Sequence, residues 1–443
     1  MAALGTLAGA RIMVAAEATF GSPSTSDARQ IDISGLSTAY PLQVTRASWK
    51  AAAEAGKMTV RDTALTSLQG GNPPVVIDAA IGGSGPVDSI SGELVLVLDG
   101  RSFGSNAPAS SALGIILASG LDAELRTPGE SFTATEATDN TMTHTSGDDG
   151  KVEVGDVLFV VQTNATGRYV KVSGYDAGTR TITTLEPHGI ANAATATVRT
   201  CHLYFPAYTG EASGASFVLE MSQPDEQQTR RYVGCRLRRF TVRTTEGGGI
   251  EYEAAIMAYD GERDTTPGIT VEAPLPLGVS GTKPLVARVA PIRATQNHST
   301  SSAPWSGTAT ALPVRTWEVG FECSHAPVAD QGTRCRVSDV GIPDVRVTGS
   351  LTQTSPTGTD IDWQTVTRLS RKHAVGFTAA GANAAGSGLC VWVGAVECAE
   401  DPGITYDETD RTQVVAFRAG DYAGDDSTDY GKVNASAILA FPA

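Results

Sequence analysis

The chain has 443 residues, 48 of them Gly and 22 Pro, and a formal net charge of −15. That length exceeds one ordinary core and predicts two or three domains. So acidic a chain is a poor general nucleic-acid binder, because neutralising phosphates takes Lys and Arg, and no apolar run approaches the roughly 20 residues of a membrane-spanning helix.

Thr, Ser and Val abound and amphipathic helical patterns are few, so the class is mainly β. The start, MAALGTLAGARIMVAAEATFGS, is apolar, but its early charges are Arg11 and Glu17. It lacks the basic start and long apolar block of a signal peptide. Six cysteines, none in a CxxC spacing, suit a reducing cytoplasm.

In chain order, the first strand falls at Arg11 to Ala16, followed by a Ser/Thr/Pro loop. PLQVTRASW (Pro41 to Trp49) and KMTVRDTAL (Lys57 to Leu65) are strand-like or mixed, with a helical turn over 51–55 between them. Gly/Pro clusters make 70–86 loop-rich, and long connections tend to be functional or mobile. ISGELVLVL (Ile90 to Leu98) is a clear strand. PASSALGIILA (Pro108 to Ala118) predicts a helix with Asn106 as cap, Pro108 near its first position and Gly120 closing it.

Over 129–200 the character changes. Short strands at Val152 to Val160, Arg168 to Val172 and Thr181 to Leu185, separated by Gly turns, predict a small inserted barrel comparable to an SH3-type module. CHLYF (Cys201 to Phe205) resumes the main sheet. Three extended runs follow: Phe217 to Met221, Tyr232 to Thr244 and Ile250 to Tyr259, with turns at SQPD and EGGG. The second and third runs predict a long antiparallel hairpin.

From Gly261 to about Thr310, the Pro, Gly and Ser content predicts a linker with extended pieces. Beyond it, Val314 to Cys323 and Arg334 to Val340 predict a hairpin, Asp344 to Thr354 a strand, and DIDWQTVTRLSRK (Asp360 to Lys372) a helix. Strands at Ala374 to Thr378, Leu389 to Cys398 and Gln413 to Arg418 close the series, with an acidic turn EDPG between the last two. This order repeats that of the first half: hairpin, strand, helix, short strand, long hairpin. It predicts an internal duplication; two unrelated β domains are the alternative. The divisions are a first sheet-plus-helix unit (1–128 plus 201–270), an inserted β module (129–200), a linker (271–312) and a second unit (313–443).

Catalytic signatures are missing. The chain holds no GxxxxGK[ST], HExxH, GxSxG or GxGxxG after a strand. Its six histidines fall singly. Cys323, His325 and Cys335 are the nearest thing to a metal cluster, and a β-hairpin tip explains them as well; a Cys323–Cys335 bridge is conceivable in geometry but not in a reducing compartment. Acidic Glu246, Glu251 and Glu253 surround the main hairpin, where a solvent-facing strand side accounts for them. The basic cluster Arg230, Arg231, Arg236, Arg238, Arg239 and Arg243 reads either as interface ion pairs or as a DNA-binding patch, and the overall charge speaks against the patch.

The run RRYVGCRLRRFTVRTTEGGGIEYEAAIMAYDG, preceded by FVLEMS, resembles the core of tail tube proteins of long-tailed, siphophage-like bacteriophages. AEATFGSP (Ala16 to Pro23) is similar to their opening, and VEVGDVLFVVQ…GRYVKVSGYD…TITTLEP to an insert seen among them. The resemblance covers most of the chain, with Arg230 to Gly261 its most specific part. It implies a structural virion protein, not an enzyme, with no cofactor. The implied fold is mainly β: two tail-tube-like β-sandwich or half-barrel domains, each with a flanking helix, plus the small inserted β-barrel-like module. The duplication then makes three chains the expected ring, with rings stacking into the conduit for DNA ejection. DNA would pass the lumen without specific binding and no membrane would be involved. Further implied partners are the tape measure, tail terminator and tail-tip proteins; the implied location is the virion tail, after synthesis in the host bacterial cytoplasm.

Candidate lumen or subunit-contact residues are Arg236, Arg238, Glu246, Glu251, Glu253 and Asp401. The excursion over 43–72 predicts an inter-ring loop with Thr45, Trp49, Lys57 and Arg61 as candidates. Two other classes stay open: another virion β protein (baseplate hub, tail tip or decoration protein), and a glycan-binding β protein, which would need aromatic platforms or paired carboxylates.

Overall fold

The computed structural model describes residues 11–17, 20, 39–42, 44–51, 92–103, 107–161, 167–206, 215–223, 228–245, 248–264, 285, 292–297, 310–329, 337–354, 363, 367, 372–380, 388–400, 402–406, 411–420, 432–433 and 435–443. It is mainly β, as the composition predicts.

The chain begins with β1 (Arg11–Ala16), β2 (Tyr40–Leu42), β3 (Arg46–Ala51) and β4 (Gly92–Asp99). A 3-10 turn over Pro108–Ser110 then leads into the helix α1 (Ala112–Ala118). The cap differs from expectation. Ser111, not Asn106, takes the Gly114 N–H on its hydroxyl at 3.0 Å, and Asn106 lies outside the described residues. Gly114 is required here, because an added Cβ would sit 2.1 Å from the Pro108 carbonyl oxygen.

After β5 (Asp122–Glu124) come β6 (Ser131–Thr138), β7 (Thr141–His144), β8 (Val157–Val161), β9 (Arg168–Asp176), β10 (Thr181–Thr184) and β11 (Thr195–Arg199). The last six close into a barrel in the order β10-β7-β6-β11-β8-β9. Its interior is filled by Phe132, Met142, Leu158, Val170, Ile182 and Val198, among others. The strand expected at Val152 starts only at Val157, because 153–156 form a turn closed by Asp156 N–H on the Glu153 carbonyl at 3.2 Å.

The chain returns through β12 (Cys201–Phe205), β13 (Phe217–Gln223), β14 (Gln228–Thr244), β15 (Ile250–Ala258) and β16 (Asp260–Asp264). The expected hairpin is β14–β15. One strand of it serves two sheets: the first half of β14 lies between β13 and β16, the second half beside β15. Gly234 stands between the halves with φ +59, its N–H held by the Glu17 carboxylate at 3.0 Å. The left-handed backbone and a Phe20 ring 2.9 Å from any added Cβ both demand glycine there.

The remaining strands are β17 (Ile292–Asn297), β18 (Thr310–Leu312), β19 (Val314–Cys323), β20 (Ala326–Ala329), β21 (Val337–Gly341), β22 (Val345–Thr354), β23 (Lys372–Ala380), β24 (Gly388–Cys398), β25 (Ile404–Tyr406), β26 (Arg411–Gly420) and β27 (Ala437–Pro442). The hairpin expected between Val314 to Cys323 and Arg334 to Val340 does not form. β19 pairs with β14 and β22 instead, and β20–β21 make their own two-stranded sheet. β19 turns Trp317, Val319, Phe321 and Cys323 into the core, and in that interior place its N–H and C=O groups need strand partners on both edges, which β14 and β22 supply along its length. β17 falls within the stretch expected as a linker and pairs with β23. Of the helix expected over 360–372, Trp363 and Thr367 are described and helical. Trp363 is fully buried and donates its indole N–H to Gln353 Oε1 at 2.9 Å.

The pairings repeat. β1–β2, β1–β13, β3–β4, β4–β15, β13–β14, β14–β15 and β14–β16 have antiparallel counterparts in β17–β18, β17–β23, β19–β22, β22–β26, β23–β24, β24–β26 and β24–β27. The four strands β3-β4-β15-β14 therefore have a second version in β19-β22-β26-β24. The two versions join edge to edge through β14–β19, Arg239 opposite Glu322 and Arg243 opposite Glu318. One face of this joined sheet is buried, with Leu94, Phe240, Val319, Phe321, Val347 and Phe417 in one core. Each such side chain contributes roughly 1.5–3 kcal/mol by leaving water.

The inserted barrel is tied to the second half. The Lys171 ammonium is buried, donates to the Lys432 carbonyl at 2.9 Å and lies 3.8 Å over the Trp392 ring. Lys432 in turn bonds Glu124, Glu153 and Asp156, each at 2.8 Å. Strand β12 pairs with both β5 and β27, carrying the stem of the insert into the second sheet. No helix among the described residues is long and apolar enough to cross a membrane.

Candidate functional site

Among the described residues the second face of the joined sheet carries the charged side chains, and its chemistry follows from alternation. In β14, Leu237, Phe240 and Val242 are buried while Arg238 and Arg239 are exposed. A register shift between Leu237 and Arg239 puts two arginines in succession on the surface. Arg238 bonds Glu93 at 2.8 Å, and Arg239 bonds Glu253 at 2.8 Å. Arg243 donates to Glu251 and lies 3.6 Å from Glu253. The carboxylate bond from Glu251 holds the Arg243 guanidinium above its ordinary pKa, against a smaller effect of burial. On the second version, Arg418 bonds Glu397 at 3.1 Å.

This face is thus a ladder of cross-strand ion pairs between small residues such as Thr241, Gly320 and Ala416. Exposed pairs of this kind contribute about 0.2–1 kcal/mol each. What they do is cancel charge locally, so the face presents no continuous cationic track to a polyanion.

The sequence candidates separate on this geometry. Arg238, Glu251 and Glu253 come together on the open face. Arg236 does not. It is buried, its guanidinium donating to the Ser119 carbonyl at the end of α1 and to Asp339 of β21, both at 3.3 Å. It fastens the helix and the side hairpin to the sheet. Thr45 donates to the Val97 carbonyl at 3.0 Å, at the start of β3, and Trp49 lies within β3 opposite Leu94. These two residues belong to the sheet rather than to a loop. Glu246, Asp401, Lys57 and Arg61 lie outside the described residues. Missed by sequence reading were Glu93, Glu318, Glu322 and Glu397. Each sits at an alternating position of a strand recognised from its pattern, so the signal was there.

The sheet also has two edges. Among the described residues, β3 has one strand neighbour, β4. β24 is flanked by β23 only as far as Val396, so its end and β25 have one strand neighbour, β26. These are the positions equivalent to β19 and to the second half of β14, which are mated inside the chain. Unmated strand edges present rows of N–H and C=O groups ready to pair with another chain.

Other chemistry has little footing. His325, of the Cys323/His325 pair, holds its ring between the Tyr259 hydroxyl at 3.1 Å and the Leu237 carbonyl at 2.9 Å, and burial pushes its pKa down. Cys323 is a free, buried thiol pushed up to about 12 by burial, and burial likewise pushes Cys201, Cys235 and Cys390 well up. Such thiols stay protonated and unreactive. Among the described residues, no group of His, Cys, Asp and Glu is arranged to hold a metal ion. A cleft of ≈ 410 Å³ beside His325 is lined by Arg238, Arg346, Tyr259 and Met257, at the end of the ion-pair ladder.

Compared with known proteins, the chain matches no family model, and no curated protein is significantly similar to it.

Proposed function

We propose that the chain is a structural protein of a bacteriophage tail, polymerising into stacked rings that form the tube through which DNA is ejected. The observation that supports this reading is the edge-to-edge junction of two equivalent four-strand units, with the equivalent strands at both ends having one strand neighbour each among the described residues. A junction that is made once inside the chain can be made again between chains, β24 and β25 of one copy accepting β3 of the next. Such an interface is heterologous and generates a closed ring or an open helix. Closure removes the sheet edges altogether.

Ring size follows from strand spacing and tilt. Three chains would contribute four strands from each of six units. At about 4.8 Å per strand and a tilt near 40°, opposite backbones stand roughly 48 Å apart. With side chains lining the wall, the bore is roughly 30 Å, wide enough for duplex DNA. Two chains would give a bore too narrow for the helix with its hydration. The self-neutralised open face is the surface suited to line that bore, since it gives phosphates nothing to grip. In this reading the protein is not an enzyme and needs no cofactor; its partners are copies of itself and the proteins that fill, end and tip the tube.

Negative-stain electron microscopy of the concentrated protein tests the reading. Rings or tubes with three-fold symmetry are expected. A protein that stays monomeric at high concentration and free of tag or denaturant overturns it. Isolated rings that never stack would favour a hub or tip role instead.

A further inference from the structure

We propose that the two edges joining copies of this chain carry a charge code inverted from the one inside the chain, so that each first unit accepts only a second unit as neighbour. The proposal rests on the assembly reading above and names the partner as the opposite edge of a second copy.

The equivalence of pairings fixes which residues correspond. Arg239 is opposite Ala255 in β15, and Glu397 is opposite Arg418 in β26. Val95 in β4 faces Ala255, and Thr348 in β22 faces Arg418. Val396 and Cys398 face the core on either side of Glu397, as Leu237 and Phe240 do around the step Arg238–Arg239, and with this alternation setting the register Glu397 stands in the second unit where Arg239 stands in the first. The same steps carry to the other edge. Ser48 faces Val95, and Gly320 faces Thr348. Two residues further, Lys50 faces Glu93 and Glu322 faces Arg346. Two residues earlier, Arg46 faces Val97 and Glu318 faces Ser350. Lys50 therefore corresponds to Glu322, and Arg46 to Glu318.

Inside the chain, a basic β14 meets an acidic β19: Arg239 opposite Glu322 and Arg243 opposite Glu318. At the two outer edges, where β3 and the end of β24 each have one strand neighbour among the described residues, the signs are exchanged. The β24 edge carries Glu397, followed in sequence by exposed Glu400 and then Asp401. The β3 edge carries Arg46 and Lys50. Joined in the register of β14–β19, Glu397 falls opposite Lys50. Opposite charges directly across a strand pair stabilise it and like charges destabilise it. The wrong junctions each set like against like: β14 on β3 opposes Arg to Arg and Lys, and β24 on β19 opposes Glu to Glu. A ring built of first units alone, or a swap in which a copy opens its own junction to take β3 of another, is thereby disfavoured. Two sheets of similar shape in one chain need such a device, because backbone pairing alone does not distinguish their edges.

Charge reversal in the full chain tests the code. Arg46→Glu with Lys50→Glu makes both unmated edges acidic; Glu397→Lys with Glu400→Lys makes both basic. Each variant, checked for folding by circular dichroism and thermal melting, is expected to lose self-association at least tenfold in sedimentation velocity. The variant carrying all four changes is expected to regain it. An equimolar mixture of the two double variants is expected to associate one to one. Double variants that self-associate like the parent, or folded double variants that fail to associate when mixed, overturn the code. A parent protein that associates through these edges yet builds no ring overturns the tube reading and leaves the code standing, so the two failures are told apart.

Discussion

The Lys171 ammonium lies 3.8 Å from the centre of the Trp392 ring, joining the inserted barrel to the long strand of the second unit. Its protons go to the Lys432 and Val433 carbonyls at 2.9 and 3.3 Å. Burial pulls this lysine's pKa well down, with Asp156 opposing. Lys171→Met keeps the stem but leaves both carbonyls without this donor, and should cost about 1–3 kcal/mol. Trp392→Ala removes the ring and opens a cavity, costing about 3–5 kcal/mol. Urea denaturation gives both values. If the lysine variant is as stable as the parent, the barrel is held by the Lys432 cluster alone.

His202 links acid to the same junction. It is fully buried on β12, accepts the Arg126 N–H on Nδ1 at 3.1 Å, and is pushed down to about 4 by burial. An unfolded histidine titrates near 6.5. Between these values the unfolded chain binds the extra proton, so the contribution is complete above about pH 6.5 and fades as pH falls toward 4. The arithmetic gives a loss of about 2 kcal/mol between pH 7.5 and 5. Thermal melts across that range should fall, and His202→Asn should flatten the fall. A variant with the parent's slope would place the acid sensitivity elsewhere.

The Trp363–Gln353 bond ties a helical residue to β22 inside the core. The indole N–H reaches Gln353 Oε1 at 2.9 Å in a site sealed from water. Gln353→Leu leaves that N–H buried without an acceptor and should destabilise by about 1–3 kcal/mol. Trp363→Phe in the Gln353→Leu background should then cost less than in the parent, since the orphaned donor is gone. A double-mutant cycle in guanidinium measures this, and strict additivity would contradict the bond's role.

Much of the architecture was legible in the chain because strands announce themselves by alternation. The β14–β15 hairpin, β4 and β22 were readable, and so was the recurrence of a strand and a later long hairpin in both halves, but not the opening hairpin of the second half. What was not readable has identifiable causes. β27 (AILAFP) is buried at every position, so it lacks the period that separates strand from helix. β17 and β18 are short and sit among Pro, Gly and Ser, whose local preference is overridden by the pairing of β17 with β23 and of β18 with β17. The β19 pairing was misjudged because nearby residues make the closest partner in sequence, whereas the backbone groups on both edges of this interior strand are met by the distant β14 and β22. At the open face, Glu251 and Glu253 stand at alternating positions of β15, whereas Arg238 and Arg239 break the alternation of β14 at its register shift. Arg236 was not readable, because its partner Asp339 is remote in sequence and arrives on a side hairpin. The swapped charges of the edges are invisible until register fixes which residues correspond.

The open face yields the sharpest test of what passes along it. Arg239 and Arg243 are neutralised by Glu253 and Glu251. Glu251→Lys with Glu253→Lys reverses those partners and leaves a band of like positive charge on this face, which lines the bore in the proposed tube. The stability cost is modest, about 1 kcal/mol for each exposed pair lost, and neither strand edge is touched, so assembly should survive. DNA behaviour should change. Parent tubes are expected to leave an anion-exchange column free of nucleic acid. Variant tubes are expected to retain DNA at low salt and release it as salt rises, with a log–log slope of about −0.9 for each phosphate neutralised. Absorbance ratios and gel mobility across a salt series give the answer. Variant tubes that assemble but hold no DNA at about 50 mM salt would put this face on the outside, and the lumen would then have to be lined by the other side of the sheet. That side is packed with Phe240, Phe321 and Phe417 in the core, so such a result would also require the ring to close differently from the β14–β19 junction.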